Sequence, residues 1–300
     1  MLAQQIMNGV VSGSIYALFG LGFTLLFGVQ KLLNLAHGAV FMAGAFIAYY
    51  CVIIGLPFWV ALLFAMLATG VISVIVELVA FRQIRKQVDP EFPAIVSSLG
   101  VDLILINIAQ NLSNTRVLSM PFGTFPVEFY NIFGLRISLL QIVILVLVAA
   151  LVAALVAALV YYLQKTSFGR QVRAVAQNER AAALLGVSSA SVYMQTFFIA
   201  GALAGVAGVL IGLSFNSIHF LMGEPYLLYA FVVVVIGGIG SVQGAVVAAI
   251  LLGVTQALTK AYLSSTLSDA IIFSLLFVAL LLFPNGLFGK AVLSAGGDRQ

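Results

Sequence analysis

Apolar runs of about twenty residues recur along the whole chain, near 5–29, 32–55, 57–80, 93–112, 136–163, 192–213, 226–262 and 267–288. A helix of that length crosses the ~30 Å hydrocarbon core of a bilayer while satisfying its own backbone, which an open sheet or irregular chain cannot do. The fold class this predicts is all-α, a polytopic integral membrane helix bundle. A hydrophobic fraction of 63% agrees, because soluble domains hold ~45–50% and need polar residues to cover their surface. The first 29 residues lack a positive leading region and run apolar too long for a cleaved signal, so they read as a retained span.

Charge is sparse, at 7% of residues, and its placement orients the bundle. Arg82, Arg85 and Lys86, then Lys165, Arg170, Arg173 and Arg180, then Lys290 and Arg299 are separated from Arg116, Arg136 and Lys260 by whole spans. Nine basic residues against three assign the first set to the cytoplasm, with Lys31 left at an interface. Parity then requires an even number of crossings between 180 and the tail. The 226–262 run is nearly twice the length of one span, and "GGIGSVQG" at 237–244 breaks it. Eight or nine transmembrane segments result; with nine, the N-terminus faces outward. The net charge of +4 is the cytoplasmic basic excess of a membrane protein, and no nucleic-acid partner is implied.

"KTSFGRQVRAVAQNERAAALLGVSS", residues 165–189, is the exception. Its five charges would cost on the order of 12–17 kcal/mol at bilayer depth, so the segment lies outside the membrane. It reads as a helix nonetheless. Ser167 suits the start, Ala174, Ala176 and Ala181–Ala183 favour the interior, and Gly186 suits the left-handed residue after the last turn. Val172, Val175 and Ala176, continued by Leu184 and Leu185, form an apolar strip. Such a helix rests either on lipid headgroups or in the groove of a cytoplasmic partner.

Ala39/Ala43, Gly44/Ala48, Gly201/Gly205 and Gly208/Gly212 are small pairs at four-residue spacing, which lets helix backbones approach closely. "HGAVFMAG" at 37–44 echoes "QGAVVAAI" at 243–250. The echo is either a trace of duplicated halves or chance similarity among Gly/Ala/Val segments.

Three well-separated stretches resemble the branched-chain amino-acid ABC transporter permeases. "GRQVRAVAQNERAAALLGV" resembles their cytoplasmic coupling loop; "NGVVSGSIYALFGLGFTLLFGV" with "NLAHGAVFMAGAF" resembles their N-terminal signature; "GGIGSVQGAVVAAILLG" resembles their late Gly-rich motif. The length is similar to the shorter of that system's two permease subunits. The resemblance implies one transmembrane permease domain over 1–300, with 165–189 as its coupling loop, in a bacterial inner membrane. It also implies a second, homologous permease in a heterodimer, two cytoplasmic ATPases and an extracytoplasmic substrate-binding protein as partners. Carried over by position, Gly169, Arg170, Arg173, Ala174, Asn178, Glu179, Ala182 and Gly186 form the ATPase-docking element. The chain carries no Walker A of its own, because "GGIGSVQG" lacks the Lys and Ser/Thr that hold phosphate and magnesium.

Polar residues inside apolar spans are the remaining candidates. Asn34 is placed to cap a half-helix, and His37 either lines the translocation path or satisfies helix-end groups at an interface. With Gly38, Asp102, Gly237, Gly238 and Gly240, they make up the candidate path residues. Asp102 falls near mid-bilayer, where it is protonated, hydrogen-bonded across a subunit interface, or facing the path. Glu77 is expected to pair with Arg82 or Arg85, and Glu224 to lie on the outer side, facing a binding protein or plain solvent. With only His37 and His219, and Cys51 as the sole cysteine, no metal site, disulfide or cofactor is expected. No GxSxG elbow, HExxH pair or acidic dyad supports an intramembrane enzyme. The competing functions are a permease for urea, other amides or ribose-type sugars, and a stand-alone secondary transporter, which the scarcity of paired intramembrane charges disfavours.

Overall fold

The computed structural model describes residues 2–87, 89–132, 135–165, 171, 174–175, 179–186, 188–238, 240–282 and 286–288. Its helices are α1 (Leu2–Gln30), α2 (His37–Ile53), α3 (Phe58–Val76), α4 (Glu91–Ser113), α5 (Leu139–Lys165), α6 (Glu179–Leu184), α7 (Ser189–Phe215), α8 (Gly223–Gly237), α9 (Val242–Tyr262) and α10 (Ser265–Leu282). Seven are long and apolar enough to cross a membrane; α8 and the apolar Leu139–Val152 part of α5 are shorter. The long apolar run 226–262 is divided, as its glycines demand, into α8 and α9. Ser241 caps the second piece, its hydroxyl accepting from the Gly244 N–H at 3.1 Å.

Two helices begin in the middle of the bundle instead of at its ends. After α1, residues 31–36 turn back, and His37 at the start of α2 stacks on Phe19, halfway along α1, at 4.8 Å. After α7, residues 216–222 turn back from the opposite end. α8 then runs beside α1 in the same direction, with Tyr16 against Tyr226 at 5.7 Å and against Tyr229 at 5.5 Å. Further along, a Cβ on Gly20 would meet Val233. α2 runs the other way, antiparallel to α1 and alongside α4, where the Leu35 N–H donates to Ser98 and the Tyr50 hydroxyl donates to the Leu112 carbonyl. α2 and α8 therefore start at one level and leave in opposite directions.

Missing side chains make this packing possible. α1 lies against α9 through Gly9, Gly13 and Gly253; a Cβ on Gly9 would stand 2.6 Å from the Val254 backbone. α7 presents Tyr193, Phe197, Gly201 and Gly205 at four-residue spacing to α3 and its extension. Phe197 meets Phe81 at 5.5 Å, Gly201 lies against Ser73, and Gly205 against Thr69. Gly205 and Gly208 also receive α2, at Gly44 and at the Phe41 carbonyl.

The charged loops separate as the basic count expects. Arg85, in the turn after α3, meets Tyr193 at the start of α7, next to the α6 segment. Arg136 lies at the other end, beside the beginning of α1. It belongs to a hairpin of β1 (Phe129–Ile132) and β2 (Leu135–Ser138), antiparallel with Phe129 opposite Ser138. The Gln4 amide ties the hairpin to α1 by donating to the Arg136 carbonyl at 2.8 Å and accepting its N–H at 2.9 Å. This hairpin corrects the all-helical expectation locally: outside the bilayer the backbone can pair between strands.

Gly44→Ile tests the packing. The added side chain would enter the Gly205 backbone, and overpacking of this kind costs about 1–3 kcal/mol. The purified variant should lose stability in detergent by thermal unfolding, whereas Gly100→Ala, where nothing lies within 4 Å, should not.

Candidate functional site

The starts of α2 and α8 touch. A Cβ on Gly38 would stand 3.1 Å from the Gly223 carbonyl oxygen, and one on Gly223 would overlap the Gly38 carbonyl. Beside this contact is a cavity of about 220 Å³. Its walls include Leu35, Ala39, Asp102, Glu224 and Leu227 together with both glycines. Asp102 reaches it from α4, and Glu224 from the first turn of α8.

Helix starts carry a partial positive charge, which suits a carboxylate; here the His37, Gly38 and Glu224 N–H groups donate to the Asn34, Leu35 and Leu221 carbonyls of the preceding turns. The two acidic side chains repel one another across the cavity and attract an ammonium group. The apolar walls accept an aliphatic body. A zwitterion with an aliphatic side chain finds a counterpart here for each of its parts.

Of the residues singled out in the sequence, Gly38 and Asp102 come together at this cavity, and Glu224 joins them. That corrects the outer-side placement of Glu224. The return through 216–222 carries the start of α8 down to the level of α2, and Glu224 with it. A signal existed, because the stretch between Pro225 and the glycine break at 237 is too short for a full span.

His37 is fully buried, but between helices and not at a membrane surface. Its ring stacks on Phe19 with 9° between planes and lies 5.8 Å from Phe23, turned into α1 and away from the cavity. Neither ring nitrogen has a hydrogen-bond partner among the described residues. Asn34 does not cap α2. Ala36 holds that position without a side-chain bond, and the Asn34 backbone carbonyl accepts the His37 N–H at 3.4 Å. Both corrections have one cause, the doubling back of 31–36, which moves these residues from an interface into the bundle. Gly237, Gly238 and Gly240 lie elsewhere, in the α8–α9 turn; Gly238 and Gly240 take φ of +95° and +78°, and Gly240 packs on Gly28 near the end of α1.

Gly169, Arg170, Arg173 and Asn178 fall outside the described residues, as does Ser167. Of the rest of this segment, Val175 and Ala182, seven positions apart, pack with Val192 and Tyr193, and Ala174 and Val29 lie against them. Leu184 and Leu185 are 90% and 82% exposed. Of the expected apolar strip, Val172 and Ala176 fall outside the described residues; Val175 rests on the chain's own α7, and the two leucines point away. Gly186 follows them with φ +79°, a conformation that L residues with a Cβ disfavour.

Residues 5–283 match the family model described as the permease component of the branched-chain amino acid transport system. The high-affinity branched-chain amino acid transport system permease protein LivH of Salmonella typhimurium is 33% identical over 299 residues, covering 96% of this chain and 95% of that protein. The permease protein LivM of the same organism is 27% identical over 263 residues, 78% of this chain and 59% of that one. Among solved structures, PsaBC from Streptococcus pneumoniae in complex with Fab aligns with a TM-score of 0.50 at 11% identity, covering 94% of this chain and 92% of that chain. That likeness concerns the fold.

The two touching glycines make a comparison possible. Gly38→Ala needs its neighbours to give a few tenths of an ångström, whereas Gly223→Ala drives a methyl into the Gly38 carbonyl. Detergent-solubilised Gly223→Ala should therefore unfold at a clearly lower temperature than Gly38→Ala.

Proposed function

The chain belongs to the permease family of branched-chain amino-acid transport systems, and from that premise we propose that it forms half of the membrane path of an ATP-driven importer. It is a multi-pass membrane protein and a transport subunit, not an enzyme. Its substrate in this reading is an aliphatic, branched-chain amino acid, and its place is the bacterial inner membrane. The other half of the path comes from a second, related permease, since LivH and LivM of one organism both align with this chain. Two cytoplasmic ATPases act on residues 165–189, and an extracytoplasmic binding protein delivers the substrate.

The observation that carries the substrate reading is the cavity where α2 and α8 begin, with Asp102 and Glu224 beside two helix starts and apolar walls. An amino acid there sets its ammonium group toward the carboxylates, its carboxylate toward the positive ends of the two helices, and its side chain against Leu35 and Leu227. On the coupling side, Arg170, Arg173 and Arg180 offer charge-assisted contacts to an ATPase, and Asn178 and Glu179 belong to the same docking element. Ala174 and Ala182 seat the segment on α7, and Leu184 and Leu185 add an apolar contact. Gly186 ends the segment sharply, so its displacement passes directly into α7. Asn34 and His37 stand behind the path as supports of the first return segment, and Gly237, Gly238 and Gly240 allow the close turn between α8 and α9 beside the end of α1.

Two variants test this reading in proteoliposomes holding both permeases and the ATPases, supplied with binding protein and leucine. Asp102→Asn should lower ATP-dependent leucine uptake about tenfold, the effect of losing about 1.4 kcal/mol from one charge contact. Gly186→Val should abolish uptake while the chain still inserts, because a β-branched residue at that φ costs about 1–2 kcal/mol. Unchanged uptake by Asp102→Asn would remove the cavity from the path; unchanged uptake by Gly186→Val would remove the coupling role.

A further inference from the structure

Glu77 is 1% exposed and opens a single π-helical turn, Glu77–Phe81, at the end of α3. The Arg82 N–H reaches back five residues to its carbonyl at 2.9 Å. Such a turn shifts the register of the residues after it and occurs often at functional sites. Here it sets Phe81 against Phe197, and the 3₁₀ turn Ile84–Lys86 brings Arg85 back to pair with Glu77. The same guanidinium lies over the Tyr193 ring, its Cζ 3.7 Å from the centroid. Tyr193 in turn packs on Val175 and Ala182 of the coupling segment.

Arg85 thus joins the end of α3 to the start of α7 and, through Tyr193, to the segment that packs on it. Stability alone is a weak reason for such an arrangement, since a buried ion pair is often no better than an apolar replacement. Position is a better one. Gly186 ties the segment to α7 only, while α3 and its extension meet α7 deeper in the bundle through Phe197, Gly201 and Gly205. A cation held over an aromatic face adds a directional link at the end of that contact nearest the segment.

We propose that Arg85, held by Glu77 and seated on Tyr193, is a positioning residue that makes α3 travel with α7 when the coupling segment is displaced. The inference rests on the reading of 165–189 as the place where ATPases act. α7 meets α2 at Gly44 and Phe41, and α3 also packs against α2, so their joint motion reaches the helix start that lines the cavity.

The test uses the complete assembly in proteoliposomes, with leucine as probe, and measures uptake and ATP hydrolysis on the same vesicles. Tyr193→Phe keeps the ring face; Tyr193→Met keeps apolar bulk against Val175 and Ala182 but removes the face. The Met variant should take up about fivefold less leucine per ATP hydrolysed, with hydrolysis itself within about twofold of wild type. The Phe variant should keep the wild-type ratio. A Glu77→Gln/Arg85→Gln variant, which leaves neither charge unpaired, should behave as the Met variant does. A wild-type ratio in the Met variant overturns the proposal. So does a Phe variant as uncoupled as Met, or a parallel fall of uptake and hydrolysis in all three. Failure of the wild-type assembly itself to take up leucine with ATP overturns the underlying reading instead, in a separate arm.

Discussion

A helix that begins inside a membrane leaves its first N–H groups facing hydrocarbon unless protein surrounds them, and the rest of this structure depends on how that shelter is built. Two helices begin so, and they shelter one another. The starts of α2 and α8 meet at Gly38 and Gly223, where a side chain on either would force the backbones apart. Aromatic rings of α1 lie over the start of α2 and beside the first turns of α8. The cavity, walled by α2, α4 and α8, brings two helix starts, two carboxylates and apolar side chains together.

The surrounding scaffold uses a single device repeatedly. No hydrophobic force draws helices together in lipid, so close backbone approach must do so. α7 is the clearest case. One face, Tyr193, Phe197, Gly201 and Gly205, runs from Val175 and Ala182 toward the centre of the bundle and contacts α3 and the turns that follow it, and the same glycine region receives α2. Large residues stand at the end of the face where helices must hold fast, and small ones where they must approach.

Much of this was legible in the sequence, and the parts that were not share one cause. The spans, the division at 237–244, the separation of basic loops, the family and the positive φ at Gly186 arise from local pattern. Glu77 pairs with Arg85, one of the two partners expected of it. Depth is what local pattern cannot convey. Asn34 and His37 look interfacial because they precede a helix, and Glu224 looks external because it precedes another. The chain doubles back before each, and residues 31–36 and 216–222 carry no charge run or length that marks them as re-entering. Only the shortness of α8 signalled it. The β1–β2 hairpin was missed for a related reason, since 129–138 is too short and mixed for either period to stand out.

The two returns enter from opposite ends of the bundle, and this changes what a solute has to cross. A full span of hydrocarbon is ~30 Å thick, and the electrostatic penalty on a dipolar solute grows with the thickness of the oily layer around it. Polar backbone and two carboxylates lie beside the starts of α2 and α8, level with the middle of α1, so the apolar interior of the bundle is interrupted there instead of running unbroken from one end to the other.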